Sequence, residues 1–281
     1  MTYQRFLKPD FKPFDPLDLA NETEKIVTRR FEHGVKRKYV AFYSAPVYQG
    51  IATGYAVGCC LRCIYCWTNW SRDFPERFGR FYSSEEAARE LIQSALKGIT
   101  SPAWKRFKDL KVKKFRISGC EPTLGKEHLL GLLAHLSDQR YPFYLETNGI
   151  LLGSDPDYIE GLAKFARMLY VRVSFKAATP EGFTARTGAI GRYYELPFIA
   201  LRGLLKAGIF ARAAAMTDPR IMPEAERHIL IKKLNEIDPS GNYDKTLEEE
   251  MIDPYDTSWL RLKSYTDQGF AEKLEREILE R

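Results

Sequence analysis

Four of the five cysteines in this 281-residue chain lie within eight positions, in the stretch AVGCCLRCIYCW. Thiols at this density, in a chain this long, indicate metal or redox chemistry rather than a disulfide scaffold. Two ligand triplets are possible: Cys59, Cys63 and Cys66 have C-x3-C-x2-C spacing, whereas Cys60, Cys63 and Cys66 have C-x2-C-x2-C spacing. Three thiolates on a four-iron cube leave one iron with open positions, and an open position separates a chemical metal site from a structural one.

Two other metal sites fit the loop less well. The Cys60 triplet resembles the beginning of a ferredoxin ligand run, which requires another cysteine where this chain has Trp70. A zinc site usually takes a second pair of cysteines or histidines, and the histidines are not spaced as such a pair. They are His33, His128, His135 and His228. An iron–sulfur or zinc module that only senses redox state or carries electrons is the non-enzymatic alternative, and it requires a fully ligated metal.

The alternation along the chain predicts the elements that hold this loop. Strands are predicted over 50–58, 113–118, 142–147, 169–175 and 209–216. Helices are predicted from a capping box at 83–86 to about 97, over 126–137, 155–168, from 176 to about 207, and over 223–235. Such alternation predicts a parallel sheet covered by helices, either doubly wound or a full or partial barrel. In all of these folds the site lies at the carboxyl ends of the strands.

The unusual residues follow or end the predicted strands. Cys59 follows the first strand, and Gly119-Cys-Glu121 follows the second. Glu146-Thr-Asn-Gly149 ends the third strand, and Ser174-Phe-Lys176 ends the fourth. Because these stretches share one edge of the predicted sheet, the sequence predicts a single site there.

The rest of the chain is predicted to wrap this core. Residues 1–45 form an N-terminal extension that packs on a core of residues 46–235, and residues 236–281 form a C-terminal extension. The last element is an amphipathic helix, which packs on the core or, alternatively, on a partner. Its apolar positions are Phe270, Leu274 and Ile278.

Composition argues against a membrane span and leaves the nature of the partner open. No apolar run reaches the roughly 18 to 20 residues that a span needs, and the N-terminus lacks the apolar core of a secretion signal. We therefore predict a cytoplasmic protein without membrane contact. The net charge of +6 permits an anionic partner without requiring one. The densest basic patch is either a solvated face or a contact for RNA or an anionic peptide. It consists of Arg29, Arg30, Lys36, Arg37 and Lys38.

The sequence CCLRCIYC resembles the cluster motif of the radical S-adenosylmethionine (SAM) superfamily. The resemblance implies that Cys59, Cys63 and Cys66 hold a [4Fe-4S] cluster, that SAM chelates its open iron, and that Tyr65 lies at the cofactor. In that family, reductive cleavage of SAM gives a 5′-deoxyadenosyl radical that abstracts a substrate hydrogen atom. The resemblance also implies a partial (β/α)6 TIM-like barrel with parallel strands, and an electron donor such as ferredoxin or flavodoxin. Cys60 is then a small buried residue.

Ser118-Gly-Cys-Glu-Pro122 stands where the family carries a Gly-Gly-Glu-Pro loop after the second strand. The resemblance implies that Ser118, Gly119 and Glu121 lie at SAM, with the backbone close to its ammonium group, an approach that glycine permits. Cys120 replaces the second glycine, so its side chain either lies beside the cofactor or points away. A fourth cluster ligand and a reactive thiol are the alternatives for Cys120.

Two further stretches are similar to the activating enzymes of glycyl-radical enzymes, which makes that branch the nearest. Leu145–Gly149 is similar to their Asp-Thr-Asn-Gly stretch. This implies that Glu146 accepts a hydrogen bond from the SAM ammonium, with Asn148 beside it. The stretch from Ser174 to Lys176 looks like their Asp-Leu-Lys element, which implies that Ser174 reaches the ribose hydroxyls and Lys176 the SAM carboxylate. The histidine that those enzymes place after the lysine is missing here.

We therefore predict a radical SAM enzyme that abstracts hydrogen from a protein, a peptide or a mid-sized metabolite. Modification of a tRNA or nucleoside is the alternative within the superfamily. Arg212, on the fifth predicted strand, is a further candidate for binding the SAM carboxylate. Five cysteines leave no ligand set for an auxiliary cluster, which disfavours the two-cluster peptide maturases.

Overall fold

A computed structural model of the chain describes residues 3–32 and 34–280, so that His33 lies outside the described residues. Within those ranges, nine strands form one sheet. They are β1 (Thr28–Phe31), β2 (Gly34–Ala45), β3 (Ile51–Ala56), β4 (Arg80–Tyr82), β5 (Phe115–Ser118), β6 (Phe143–Thr147), β7 (Leu169–Phe175), β8 (Phe210–Met216) and β9 (Glu248–Glu250). The strand order is β1-β2-β3-β5-β6-β7-β8-β9, with β4 paired to β2.

The strands from β3 to β9 along this order pair in parallel, whereas β1, β2 and β4 pair antiparallel. The predicted strands correspond to β3, β5, β6, β7 and β8. These strands lie side by side in the sheet in the same order as in the sequence, and the sheet does not close. The predicted α/β class, a partial barrel of parallel strands, is confirmed. The last parallel strand, β9, is missing from the predicted set because its residues are all glutamate and show no apolar alternation.

The described ranges contain eleven α-helices. They are α1 (Pro16–Val27), α2 (Ser84–Lys97), α3 (Lys126–Leu136), α4 (Ile150–Ser154), α5 (Pro156–Ala163), α6 (Pro180–Thr187), α7 (Leu196–Lys206), α8 (Glu224–Ile237), α9 (Tyr243–Thr246), α10 (Asp256–Thr266) and α11 (Gln268–Glu280). The Ser83 and Glu86 side chains accept each other's backbone N–H, which is the predicted capping box of α2. The helix predicted up to about residue 207 is divided into α6 and α7, because Gly188 ends α6 in the left-handed conformation at φ +75°.

The parallel part of the sheet has an apolar outer face and an inner face that carries aromatic and charged side chains. Leu145 and Val171 point outward into the main core beneath the helices. Alternate residues point to the concave inner face, where the rings of Tyr144 and Tyr170 stack with centroids 5.2 Å apart. One row nearer the carboxyl ends, the paired positions are the charged Glu146 and Arg172. The concave face is therefore polar where it approaches the cysteine loop.

Both predicted extensions contribute strands to this sheet. The N-terminal extension supplies β1 and β2, and the C-terminal extension supplies β9. The apolar face of α11 packs against the aromatic rings of Phe6 and Phe74 through Ala271, Leu274 and Ile278. The boundaries between the extensions and the core stay a prediction. Every helix within 3–32 and 34–280 is too short or too polar to serve as a membrane span.

The predicted basic patch is partly buried rather than a free cationic surface. Arg37 is 1% exposed and donates to the carbonyls of Glu121 at 2.7 Å and Pro122 at 3.3 Å. Lys38 is also buried and donates to the Pro75 carbonyl at 2.9 Å. These two side chains are donors to the backbone of neighbouring loops, which removes them from any contact with RNA or an anionic peptide.

Candidate functional site

The cysteine loop leaves the carboxyl end of β3 and covers the adjoining strand ends. Its four cysteines and Cys120 are all free thiols. Cys60 and Cys63 are buried, whereas Cys59 and Cys66 are partly exposed. In the part of the chain that the structure describes, no three His, Cys, Asp or Glu side chains form a preformed metal site. The site must therefore be judged by the chemistry of its donors and their surroundings.

Cys59 and Cys60 are adjacent but not equivalent. Cys60 is fully buried and packs in an apolar cluster with Ile150. The Asn148 amide donates to the Cys60 sulfur at 3.3 Å and to the Cys59 sulfur at 3.7 Å. A hydrogen bond from the Cys60 thiol lowers the pKa of Cys59 to about 7, whereas this contact and burial raise the pKa of Cys60 well above its ordinary value. Thiolate character at Cys59 favours the C-x3-C-x2-C triplet.

Three arginines hold the backbone of the loop, one at each cysteine of that triplet. The donor–acceptor pairs are Arg62 with the Cys59 carbonyl at 2.7 Å, Arg72 with the Cys63 carbonyl at 2.7 Å, and Arg261 with the Cys66 carbonyl at 2.5 Å. Each of these arginines is at most 1% exposed. Buried guanidinium groups with fixed carbonyl partners constrain the path of the loop and with it the places of the thiols.

The charge beneath the loop favours the thiolate form of Cys66. Among the described residues, hydrogen bonds and ion pairs join two of these arginines to one carboxylate, that of Asp73, which is bound by Arg72 and by Arg261 at 2.6 Å each. Burial raises the pKa of Cys66, but the charges of Arg72 and Arg261 reverse this and lower its pKa overall. Because unbalanced buried charge is costly, ionised cysteines suit this excess of positive charge. Ionised sulfur is also the form that binds metal, so the donor set fits an iron–sulfur cluster.

Asp73 gives a testable pH dependence. Burial alone raises its pKa, but Arg261 and Arg72 lower it from 3.8 to about 2. A carboxyl group with a lower pKa in the folded chain stabilises the fold at higher pH, and the contribution is lost as the pH falls toward the folded pKa. We expect the difference in unfolding free energy between wild type and Asp73→Asn to be constant above about pH 5 and to shrink by about 2 kcal/mol toward about pH 2. Urea unfolding measures it, and Asp109→Asn, which replaces an exposed carboxylate, is the control variant.

Glu121 ties the loop after β5 to the loop after β6. Its Oε1 accepts from the Thr123 N–H at 3.1 Å, the Thr123 hydroxyl at 2.6 Å and the Thr147 hydroxyl at 2.7 Å. Its Oε2 accepts from the Asn148 N–H at 2.9 Å, and the residue is 3% exposed. In this arrangement the carboxylate positions two loops of the predicted site. A direct contact of Glu121 with SAM stays a prediction.

Gly119 brings the loop after β5 against β3. Its φ is +91°, and a Cβ there would lie 2.8 Å from the ring of Tyr55. The Tyr55 hydroxyl oxygen accepts from the Asn69 N–H at 3.1 Å, which fixes the ring beneath the cysteine loop. The next residue, Cys120, has its sulfur 3.7 Å from the Ser71 hydroxyl, and burial raises its pKa to about 12. Cys120 thus faces Ser71, and its orientation relative to the cofactor stays a prediction.

The close approach at Gly119 predicts a loss of stability on substitution. Gly119→Ala adds a methyl group against the Tyr55 ring and an unfavourable φ, so we expect the unfolding free energy to fall by about 2 to 3 kcal/mol. Gly208→Ala is the matched control, because φ there is +72° but no heavy atom lies within 4 Å of the added Cβ. We expect it to cost about 1 kcal/mol. Equal losses in urea unfolding would show that the ring contact has no energetic effect.

Glu146 lies on the concave face but is engaged with other protein groups. The Tyr48 hydroxyl donates to its Oε1 at 2.5 Å, and Arg116 donates to its Oε2 at 3.1 Å. Arg116 also donates to the Thr53 hydroxyl at 3.0 Å, which links β5 to β3. Glu146 is therefore held among β3, β5 and β6, one row below the strand ends.

Glu250 is a member of the site that sequence reasoning missed. The Ser174 hydroxyl donates to it at 3.1 Å, Arg172 pairs with it at 2.8 Å, and the Lys176 ammonium lies 3.8 Å away. Burial raises the pKa of Glu250, but Lys176 and Arg172 lower it overall. Burial raises the pKa of Cys63 to about 11, and the positive charge of Lys176 opposes this shift. Lys176 and Glu250 therefore adjoin the cysteine loop. The available signal was the glutamate run of β9, in which alternate residues share one face of the sheet.

The remaining candidates separate into two groups. Ser118 ends β5 and pairs with Tyr55. Tyr65 belongs to the cysteine loop and is buried, and its hydroxyl has no hydrogen-bond partner in the described ranges. A buried hydroxyl in this state fits a site that a group outside the chain completes. By contrast, Arg212 is exposed near the amino end of β8, with its guanidinium 5.2 Å from the centre of the Phe210 ring. In the sheet register Arg212 pairs with Arg172, which pairs with Glu146, so the three share one row of the sheet. A contact of Arg212 with the SAM carboxylate stays a prediction.

A sequence profile of the Radical SAM superfamily matches residues 55–217, more than half of the chain. This chain belongs to the radical SAM superfamily. The matched segment contains the cysteine loop and the ends of β5, β6 and β7. Membership indicates an enzyme and implies SAM and a [4Fe-4S] cluster as its cofactors. No curated protein matches the chain in sequence.

Solved structures share the radical SAM fold at low identity. The crystal structure of Streptococcus suis SuiB bound to precursor peptide SuiA has a TM-score of 0.53 and 15% identity, over 80% of this chain and 44% of that chain. A radical SAM methyltransferase from Sphaerobacter thermophilus has a TM-score of 0.50 and 14% identity, over 78% of this chain and 57% of that one. The chain thus spans less than two thirds of either. The comparisons support the superfamily and do not support the branch of glycyl-radical activating enzymes.

Proposed function

We propose that this radical SAM enzyme holds a [4Fe-4S] cluster through Cys59, Cys63 and Cys66 and uses it to cleave SAM. The observation that carries the proposal is the loop itself. The backbone of each of these cysteines is fixed by a buried arginine, and the loop lies at the carboxyl edge of a parallel sheet. When bound, the cluster and SAM supply a 5′-deoxyadenosyl radical for hydrogen abstraction. The electron comes from a reduced protein such as ferredoxin or flavodoxin.

The adjoining side chains are suited to bind and orient SAM. Lys176 would hold the SAM carboxylate in exchange for its present partner Glu250, and Ser174 and Glu250 offer polar groups for the ribose hydroxyls. Glu146 would accept from the ammonium group, and the Tyr65 hydroxyl, which has no partner among residues 3–32 and 34–280, offers one more polar contact. A radical cofactor also requires that water be excluded, which the apolar packing beneath the loop favours.

We propose a peptide or protein segment as the substrate. SuiB, which shares the fold, was crystallised with a precursor peptide. In this chain, Trp67 and Tyr255 form an exposed aromatic pair beside the cysteine loop, with ring centroids 5.8 Å apart and exposures of 36% and 54%. Aromatic side chains of this kind are typical of surfaces that bind peptides. A mid-sized metabolite is the alternative substrate within the same chemistry.

The test is anaerobic reconstitution with iron and sulfide, followed by SAM and dithionite. We expect the cluster-loaded protein to bind SAM and to form 5′-deoxyadenosine from it. A tryptic digest of whole-cell protein and total tRNA should then be added in separate reactions. If the digest accelerates formation of 5′-deoxyadenosine and tRNA does not, the result supports a peptide substrate. If tRNA accelerates it and the digest does not, the result overturns the peptide substrate. The absence of 5′-deoxyadenosine from cluster-loaded protein overturns the enzymatic proposal.

The two alternatives make distinct predictions in the same experiment. Modification of a tRNA or nucleoside predicts stimulation by RNA, although Arg37 and Lys38 of the basic patch are buried and engaged. A non-catalytic iron–sulfur or zinc module predicts a fully ligated metal and no affinity for SAM. Isothermal titration of SAM against the cluster-loaded protein separates that module from the enzyme.

A further inference from the structure

The cysteine loop is held by the far end of the chain. Arg261, on α10, follows Cys66 by 195 positions. Its guanidinium nevertheless donates to the carbonyl of Cys66 at 2.5 Å, to that of Thr68 at 2.7 Å and to that of Asn69 at 3.0 Å. The same group lies 4.7 Å from the centre of the Trp70 ring. One side chain of the tail thus contacts consecutive parts of the loop from its last cysteine onward.

Asp73 links Arg261 to a second cysteine of the loop, Cys63, through Arg72. Its Oδ2 accepts from Arg261 at 2.6 and 3.2 Å, and its Oδ1 accepts from Arg72 at 2.6 and 3.0 Å. Arg72 in turn donates to the Cys63 carbonyl at 2.7 Å. Asp73 is fully buried, and both arginines are 1% exposed. Because each carboxylate oxygen receives a pair of donors from a different arginine, the orientation of both guanidinium groups is fixed.

We propose that this chain of contacts, the Arg72–Asp73–Arg261 clamp, is a positioning device for the cluster ligands and makes α10 part of the cluster site. The inference rests on the proposed function. The clamp holds the backbone of Cys63 and Cys66 at a fixed separation before metal is bound. Its net positive charge, two guanidinium groups against one carboxylate, adds an attraction for the thiolates and for the anionic cluster that they hold.

A role in stability alone does not account for such a clamp. Buried ion pairs contribute little net stability, because desolvation offsets the attraction between the charges. Apolar side chains of similar volume would fill the same space at similar or lower free energy. What the apolar replacement cannot do is donate hydrogen bonds to the carbonyls of the loop. Ligand position, rather than the free energy of unfolding, is therefore the property to measure.

The first measurement uses metal-free protein and needs no enzymatic activity. Arg261→Met keeps most of the side-chain volume but removes the charge and the donors. Arg276→Met is the matched control, since Arg276 is exposed on α11 of the same tail. We expect iodoacetamide to alkylate Cys63 roughly 10-fold faster in Arg261→Met than in wild type, because loss of a supporting contact frees the loop. Cys63 is the probe because loss of the Arg261 charge by itself slows alkylation of the adjoining Cys66 thiol. Peptide mapping gives the rates, and near-ultraviolet circular dichroism shows that the variant is folded.

The second measurement is iron retention after reconstitution, under challenge with EDTA. We expect Arg261→Met to lose iron roughly 10- to 100-fold faster than wild type, whereas Arg276→Met should match wild type. Arg261→Lys should rescue little, because one ammonium cannot span three carbonyls and a carboxylate. A folded Arg261→Met with wild-type alkylation and iron retention would overturn the clamp. If wild type takes up no iron, the proposed function fails, and the alkylation rates alone decide on the clamp.

Wild-type protein provides a measurement that does not depend on the folding of any variant. If docking of α10 favours cluster binding, cluster binding must favour docking of α10 by the same factor. We therefore expect amide hydrogen exchange in residues 258–266 to slow when the cluster is bound. Unchanged exchange in this segment, with slower exchange in the cysteine loop itself, would mean that α10 is not coupled to the site.

Discussion

Cys63→Ala is expected to remove iron binding and the formation of 5′-deoxyadenosine together. Mutation of residues that support a metal ligand lowers metal affinity roughly 10- to 100-fold. The loss of iron affinity in Cys63→Ala should be larger, because the variant lacks a thiolate ligand itself. Cys59→Ala and Cys66→Ala should behave in the same way. The measurements are iron and sulfide per chain after anaerobic reconstitution, and 5′-deoxyadenosine after addition of SAM and dithionite.

Two other cysteines of the chain supply the controls. Cys60→Ala should keep its iron, since Cys60 is fully buried in an apolar cluster beside Cys59. Cys120→Ala should also keep its iron, although its sulfur faces the cysteine loop through Ser71. Loss of iron from Cys60→Ala with retention in Cys59→Ala would reverse the ligand register. Loss of iron from Cys120→Ala would make it a fourth ligand and close the open iron position.

Glu121→Gln is expected to destabilise the protein by about 2 to 4 kcal/mol, because the substitution replaces a buried acceptor of charged hydrogen bonds with a donor. The carboxylate accepts from Thr123, Thr147 and the Asn148 N–H. At least one of these donors must then face an NH2 group. Urea unfolding of the metal-free protein measures the loss, and weaker iron retention should accompany it because the two loops adjoin the cysteines.

Glu127→Gln is the matched control for that substitution. Glu127 lies in the neighbouring helix α3, and its ion pair with Arg30 at 3.1 Å is largely exposed. An exposed pair contributes about 0 to 1 kcal/mol, so this variant should keep nearly wild-type stability. A similar loss in both variants would show that the buried contacts of Glu121 have no special role.

Local pattern was sufficient for the parallel sheet and for the loop that bears the cysteines. The strands β3, β5, β6, β7 and β8 are apolar segments between helical ones, and the Ser83–Glu86 capping box begins α2 as expected. These features depend on neighbours in sequence, which is why they can be read from it. The superfamily resemblance also depends on a local motif, and the profile match confirms it at that level. The finer branch, inferred from short stretches, is not supported.

By itself, the sequence determined the thiol loop, the strand ends that adjoin it and the superfamily of the enzyme. Only the tertiary structure showed which further charged residues support the site. Arg37 lies in the predicted basic patch, and Arg72 and Arg261 have no local pattern that indicates a role, yet all three are buried donors to loop carbonyls. Glu250 joins Lys176 from a strand with no apolar pattern. The physical reason is that a buried charge needs a specific partner, and these partners come together from distant parts of the chain only when the sheet and the tail pack.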